Sequence, residues 1–86
     1  MKEREDLMKE LEKAKQALKN TEINIDMIDD VLGIWKTATI DEVPKELQSG
    51  ITNLWHQRDV LWFQRVELMS LIQQAESLLS IGKHYL

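Results

Sequence analysis

The sequence predicts an all-α protein, an antiparallel hairpin of two long helices that dimerises into a four-helix bundle. Three observations carry that expectation. Apolar residues recur at alternating intervals of four and three, a period that helices use and strands cannot. The 86 residues include one proline and three glycines, too little punctuation for a many-stranded sheet and its turns. No cysteine is present, so neither a disulfide framework nor a thiolate metal site compensates for small size. The chain reads as a single helical-hairpin domain over residues 1–86.

The first helix is predicted over about residues 3–36. Leu7, Leu11, Ala14, Leu18, Thr21, Ile25, Ile28, Leu32 and Trp35 form one unbroken a/d seam, in which Thr21 is the polar member. Asn20-Thr21 does not interrupt it, because the spacing continues in register. Met8, Ala17, Val31 and Ile34 widen the stripe beyond that of a simple two-stranded zipper.

A link is predicted at about 37–43. Gly33 weakens the end of the first helix, and the β-branched Thr37, Thr39 and Ile40 follow. Thr39-Ile40-Asp41-Glu42 has the form of a capping box, with Thr39 as N-cap of the second helix and Pro44 in its first turn. That helix is predicted over about 44–81, with Leu47, Ile51, Leu54, Leu61, Leu68, Ile72, Ala75 and Leu79 as its stripe. Gly82 is the expected C′ residue, with Lys83 and His84 at the negative end of the helix dipole. At about 1.5 Å per residue each helix spans about 50 Å, and a short link between them makes an antiparallel pair turning near residue 41.

The second helix holds an internal repeat. Leu54-Trp55-His56-Gln57-Arg58-Asp59-Val60 is followed directly by Leu61-Trp62-Phe63-Gln64-Arg65-Val66-Glu67, then Leu68-Met69. Leu54, Leu61, Leu68 and Ala75 make one row, and Trp55, Trp62 and Met69 make the row beside it. Two adjacent apolar rows can face two different helices, as in the core of a bundle. Left wet, Trp55, Trp62, Phe63, Val66 and Met69 would form an apolar patch of the kind that marks an interaction site. Glu22, Asp26 and Asp29 form an acidic row able to pair with Arg58 and Arg65 across an antiparallel hairpin. The sharper alternative makes the Trp/Arg cluster a binding hot spot, since those residue types dominate such sites.

Charge is unevenly spread. The chain carries 30% charged and 43% apolar residues and a formal net charge of −4, which suits a folded chain rather than a disordered one. Residues 1–19 are nearly balanced, residues 20–46 are acidic, and residues 47–86 are balanced but poor in charge, with Gln, Ser, Asn and Thr on their polar positions. A helix with that composition is expected to touch protein on more than one side. An acidic centre without clustered arginines argues against binding nucleic acid. No apolar run approaches the roughly 20 residues needed to span a bilayer, and residues 54–72 lack the Lys/Arg of a membrane-surface helix. The start Met1-Lys2-Glu3-Arg4-Glu5-Asp6 has acids where a secretion signal needs an apolar stretch, so a cytoplasmic location is expected.

Catalytic and metal chemistry find little support. Neither His56 nor His84 follows a Glu at the spacing of a di-iron bundle, and His56 with Asp59 reads as a surface pair. Gly82-Lys83 lacks the strand and earlier glycine of a phosphate loop. Ser49, Ser70, Ser77 and Ser80 have no histidine at helical spacing to activate them. Ile25-Asp26-Met27-Ile28-Asp29-Asp30-Val31-Leu32 resembles the opening of the helical chorismate mutases, but that family holds its dicarboxylate with an arginine just before this segment. Residues 20–24 here carry no positive charge, so the resemblance implies no activity. The expectation is a non-enzymatic module without cofactor, metal or small-molecule substrate, an adaptor, chaperone or inhibitor-like regulator. It would bind itself and another protein through Leu54, Trp55, Arg58, Leu61, Trp62, Arg65, Leu68 and Met69. The alternative is a purely structural coiled-coil oligomerisation module.

Overall fold

A computed structural model describes the backbone of residues 2–84 and the side-chain surroundings of residues 3–81. Helix α1 (Lys2–Leu32) is followed by three 3₁₀ turns, Gly33–Lys36, Ile40–Glu42 and Lys45–Leu47, and then by α2 (Gln48–His84). The helices lie antiparallel, and no strand occurs among the described residues. The molecule is a rod with principal extents of 62 × 16 × 15 Å. Its radius of gyration is 18.5 Å, against about 12 Å for a compact domain of this length.

The periodic residues of α1 are the ones that go inside. Leu11, Ala14, Thr21, Ile25 and Leu32 are buried, while Leu7, Leu18, Ile28 and Trp35 are half-buried against them. Thr21 is accommodated in this seam because its hydroxyl donates to the Ala17 carbonyl at 2.8 Å, satisfying the buried group within its own helix. The core divides into two clusters. Near the open end, Leu11 and Ala14 meet Ile72 and Ala75, flanked by Leu7, Leu18, Leu68 and Leu79. Near the turn, Leu32, Val43 and Ile51 pack with Ile28, Trp35, Leu54 and Trp55.

The link differs from the expectation in several ways. The α-helical part of the first element stops at Leu32 rather than about residue 36, because Gly33 adopts a φ of +54°. Only glycine enters that left-handed region without steric cost, and it commonly terminates helices there. Thr39 precedes a single 3₁₀ turn rather than α2. Its hydroxyl meets Glu42 Oε1 at 3.2 Å, and the Glu42 amide donates to the Thr39 carbonyl at 3.0 Å. Pro44 stands just ahead of the next turn, with φ −54° and ψ 140°, so α2 begins at Gln48 instead of 44. Leu47 is consequently exposed rather than part of the α2 stripe. At the far end, α2 continues through Gly82 to His84, so Gly82 is not its C′ residue.

Two side chains close the turn. The Gln48 amide donates to the carbonyls of Ile40 and Val43 at 3.2 and 3.0 Å. The Trp55 indole N–H donates to the Trp35 carbonyl at 2.9 Å, tying the end of the first element to the second turn of α2. Val43 is buried beneath these contacts and plugs the top of the seam.

Two measurements check this account of the turn. Gly33→Ala should destabilise by about 1–2 kcal/mol in urea titration through backbone strain alone, since an added Cβ there meets nothing within 4 Å. Trp55→Phe, which keeps most of the ring but removes the indole donor, should cost about 0.5–1.5 kcal/mol in the same titration.

Candidate protein-binding face

The α2 seam positions at intervals of three and four are Ile51, Leu54, Arg58, Leu61, Arg65, Leu68, Ile72, Ala75 and Leu79. Arg58 and Arg65 therefore occupy the two gaps in the apolar stripe, where a continuous core would carry Leu or Ile. The acidic row answers them. Arg58 Nε lies 2.6 Å from Asp29 Oδ1, with side-chain exposures of only 26% and 21%. Neither atom reaches solvent, and their geometry is that of an ion pair rather than an aligned hydrogen bond. Arg65 Nε lies 3.4 Å from Glu22 Oε2, and the Arg65 guanidinium carbon stands 5.1 Å from the centre of the Trp62 ring, a cation–π contact. Both ion pairs are symmetric about Val43 and Pro44, so the hairpin turns there and not near residue 41. Lys15 and Glu76 add an exposed pair at 3.6 Å nearer the open end.

This geometry sorts the eight predicted interface residues. Leu54 and Trp55 belong to the cluster at the turn and Leu68 to the cluster at the open end, while Leu61 is half-buried between them. These four serve the seam within one chain. Arg58 and Arg65 are held by acids of α1. Trp62 and Met69 remain on the outside, at 40% and 45% exposure. Phe63 and Val66 join them at 66% and 59%. Trp62, Val66 and Met69 follow one another at intervals of four and three, so they form a band along one flank of the rod, while Phe63 lies on the back of α2, away from α1. Between this band and α1 runs a shallow open groove lined by Leu18, Val66, Met69, Ile72, Gln73 and Glu76.

The opposite flank is built differently. Near the turn it exposes Met27, Val31 and Ile34, and toward the open end Leu71 and Leu78. Its middle is polar, with exposed Asn20, Asn24, Gln64 and Glu67. Met27, Val31 and Ile34 were absent from the predicted interface, although their spacing of four and three beside the seam was the available signal.

Among the described residues no three of His, Cys, Asp and Glu converge as a metal site, and no helix is long and apolar enough to cross a membrane. His56 and Asp59 are both exposed. No known protein family, curated protein or solved structure matches the chain.

The two arginines should differ in energetic weight. Arg58→Ala is expected to cost about 1–3 kcal/mol because it strands a shielded Asp29 oxygen. Arg65→Ala should cost about 1 kcal/mol or less, its acid partner being half in solvent. Double-mutant cycles with Asp29→Ala and Glu22→Ala, read by urea denaturation, should give the larger coupling energy for the Arg58–Asp29 pair.

Proposed function

We propose that this chain is a non-enzymatic protein–protein interaction module, a small cytoplasmic adaptor, chaperone or inhibitor-like regulator that works by offering an apolar helix flank. The band of Trp62, Val66 and Met69 carries the reading. Each of these side chains is at least 40% exposed, and all three lie on one flank although the same helix buries its seam residues. Clustered exposure of large apolar side chains is uncommon on chains that act alone, and it marks surfaces that another protein covers. Arg58 and Arg65 enter this reading as supports and not as free hot-spot donors, because their charges are engaged with Asp29 and Glu22. Arg65 stacks on Trp62 and holds that indole at the edge of the band. The shallow groove beside it suits side chains of a partner helix better than a small molecule, which binding sites usually enclose.

Val66→Asp tests the proposal, because the position is exposed and its change leaves the seam intact. The variant should keep the far-ultraviolet helical signal of the wild type. It should lose either self-association in sedimentation equilibrium or a protein that the wild type captures from host extract. A wild-type chain that sediments as a folded monomer at micromolar concentration, and captures nothing that Val66→Asp fails to capture, would contradict it.

A further inference from the structure

We infer that the occupant of this flank is a second copy of the chain, docked antiparallel about a two-fold axis that passes beside Val66 and runs perpendicular to the helices. The inference rests on the interaction-module reading and deepens it by naming the partner and its register.

Exposed area favours a second copy. The chain exposes 6823 Å², whereas a compact monomer of 10.1 kDa exposes about 5,300 Å². The excess is about 1,500 Å² per chain. Two copies that each covered this much would share an interface of about 3,000 Å² in total, within the range of obligate homodimers.

Apolar self-complementarity favours it as well. The exposed band is centred on Val66, with Trp62 four residues before it and Met69 three after. A two-fold axis beside Val66 sets the two Val66 side chains together. It also carries Trp62 to the level of Ser70, within the stretch of α2 that lines the groove. The two Val66 side chains therefore meet each other, and the largest apolar group of the band comes level with the available concavity.

Charge on the other helix fits the same arrangement. The Arg65–Glu22 pair places Val66 level with about Thr21 on α1. On the same flank α1 carries Lys15 and Lys19 on one side of that level and Glu22 and Asp26 on the other. Reversing α1 about the midpoint of Asn20 and Thr21 brings Lys15 opposite the second copy's Asp26, and Lys19 opposite its Glu22. Lys19 and Asp26 take part in no ion pair among the described residues. The apolar centre on α2 and the charge centre on α1 thus fall within about half a residue of the same height. The other two-fold arrangement, with α2 lying on the second copy's α1, would press Trp62 and Val66 onto Lys19, Glu22 and Asp26, and is disfavoured.

Because the chain has no cysteine, single introduced thiols report the geometry directly. Val66→Cys should form a disulfide-linked dimer under mild oxidation, since residues beside the axis come within bridging distance of their own copies. Leu71→Cys, equally exposed on the opposite flank, should not. Lys15→Glu and Asp26→Lys should each weaken self-association about tenfold or more by setting like charges opposite one another. An equimolar mixture of the two should restore it as a heterodimer. Equal cross-linking of both thiols in a chain that still sediments as a dimer would overturn this register and leave the interaction reading standing. So would two charge variants that fail to rescue each other. A monomeric wild type that nevertheless captures a host protein in a Val66-dependent way would overturn the second-copy inference and not the module.

Discussion

Two α-helices packed side by side share one face, and every residue off that face meets solvent or another molecule. This geometric constraint governs the whole protein. A helix of this kind buries a stripe of a/d residues against its neighbour and nothing more. The extended rod, with its 18.5 Å radius of gyration, follows from it. So does the placement of apolar residues beside the stripe. Trp62, Val66 and Met69 cannot be turned inward without turning Leu61, Leu68 and Ile72 outward. Burial of that band requires a second layer of protein, and the proposed function and register are two consequences of that requirement.

The seam itself is not uniformly apolar. Arg58 and Arg65 interrupt it between the two clusters, and their partners Asp29 and Glu22 sit about one and three turns before the C-terminal end of α1. Replacing such pairs with packed aliphatics often leaves stability unchanged or higher, so their contribution lies elsewhere. Opposite charges at fixed heights penalise sliding of α2 along α1, because a shift of one heptad would leave only one arginine against an acid and set the other against Lys36 or Lys15. The long aliphatic seam, which has a seven-residue near-repeat, would otherwise tolerate such a shift. The ion pairs thus act with the Trp55–Trp35 hydrogen bond to hold one register from the turn to the middle of the rod.

The helices and their pairing were legible in the sequence because periodicity is a property of the residues alone. The predicted seam matches the buried and half-buried residues from Leu7 to Trp35, and the acidic row does meet both arginines. The turn was less legible. Val43 is among the most buried residues, yet it belongs to no periodic pattern, and its burial depends on how three short 3₁₀ turns stack above Leu32 and Ile51. Gln48, whose amide caps two link carbonyls, reads in sequence as an ordinary polar residue. The candidate face was legible only in part. A row of Leu54, Leu61 and Leu68 announces a face that is covered, but the row cannot say whether its own α1 or another chain covers it. In this fold α1 does, and the surface left over shifts by about 100° to Trp62, Val66 and Met69.

Small-angle X-ray scattering tests the central claim most directly, because mass and length are read together from one sample. A second hairpin laid flank to flank doubles the 10.1 kDa mass of one chain while leaving the longest dimension close to 62 Å, since the added layer thickens the rod and does not extend it. That result is the one expected at tens of micromolar protein. A scattering mass of one chain, with a radius of gyration near 18.5 Å at the same concentrations, would contradict it.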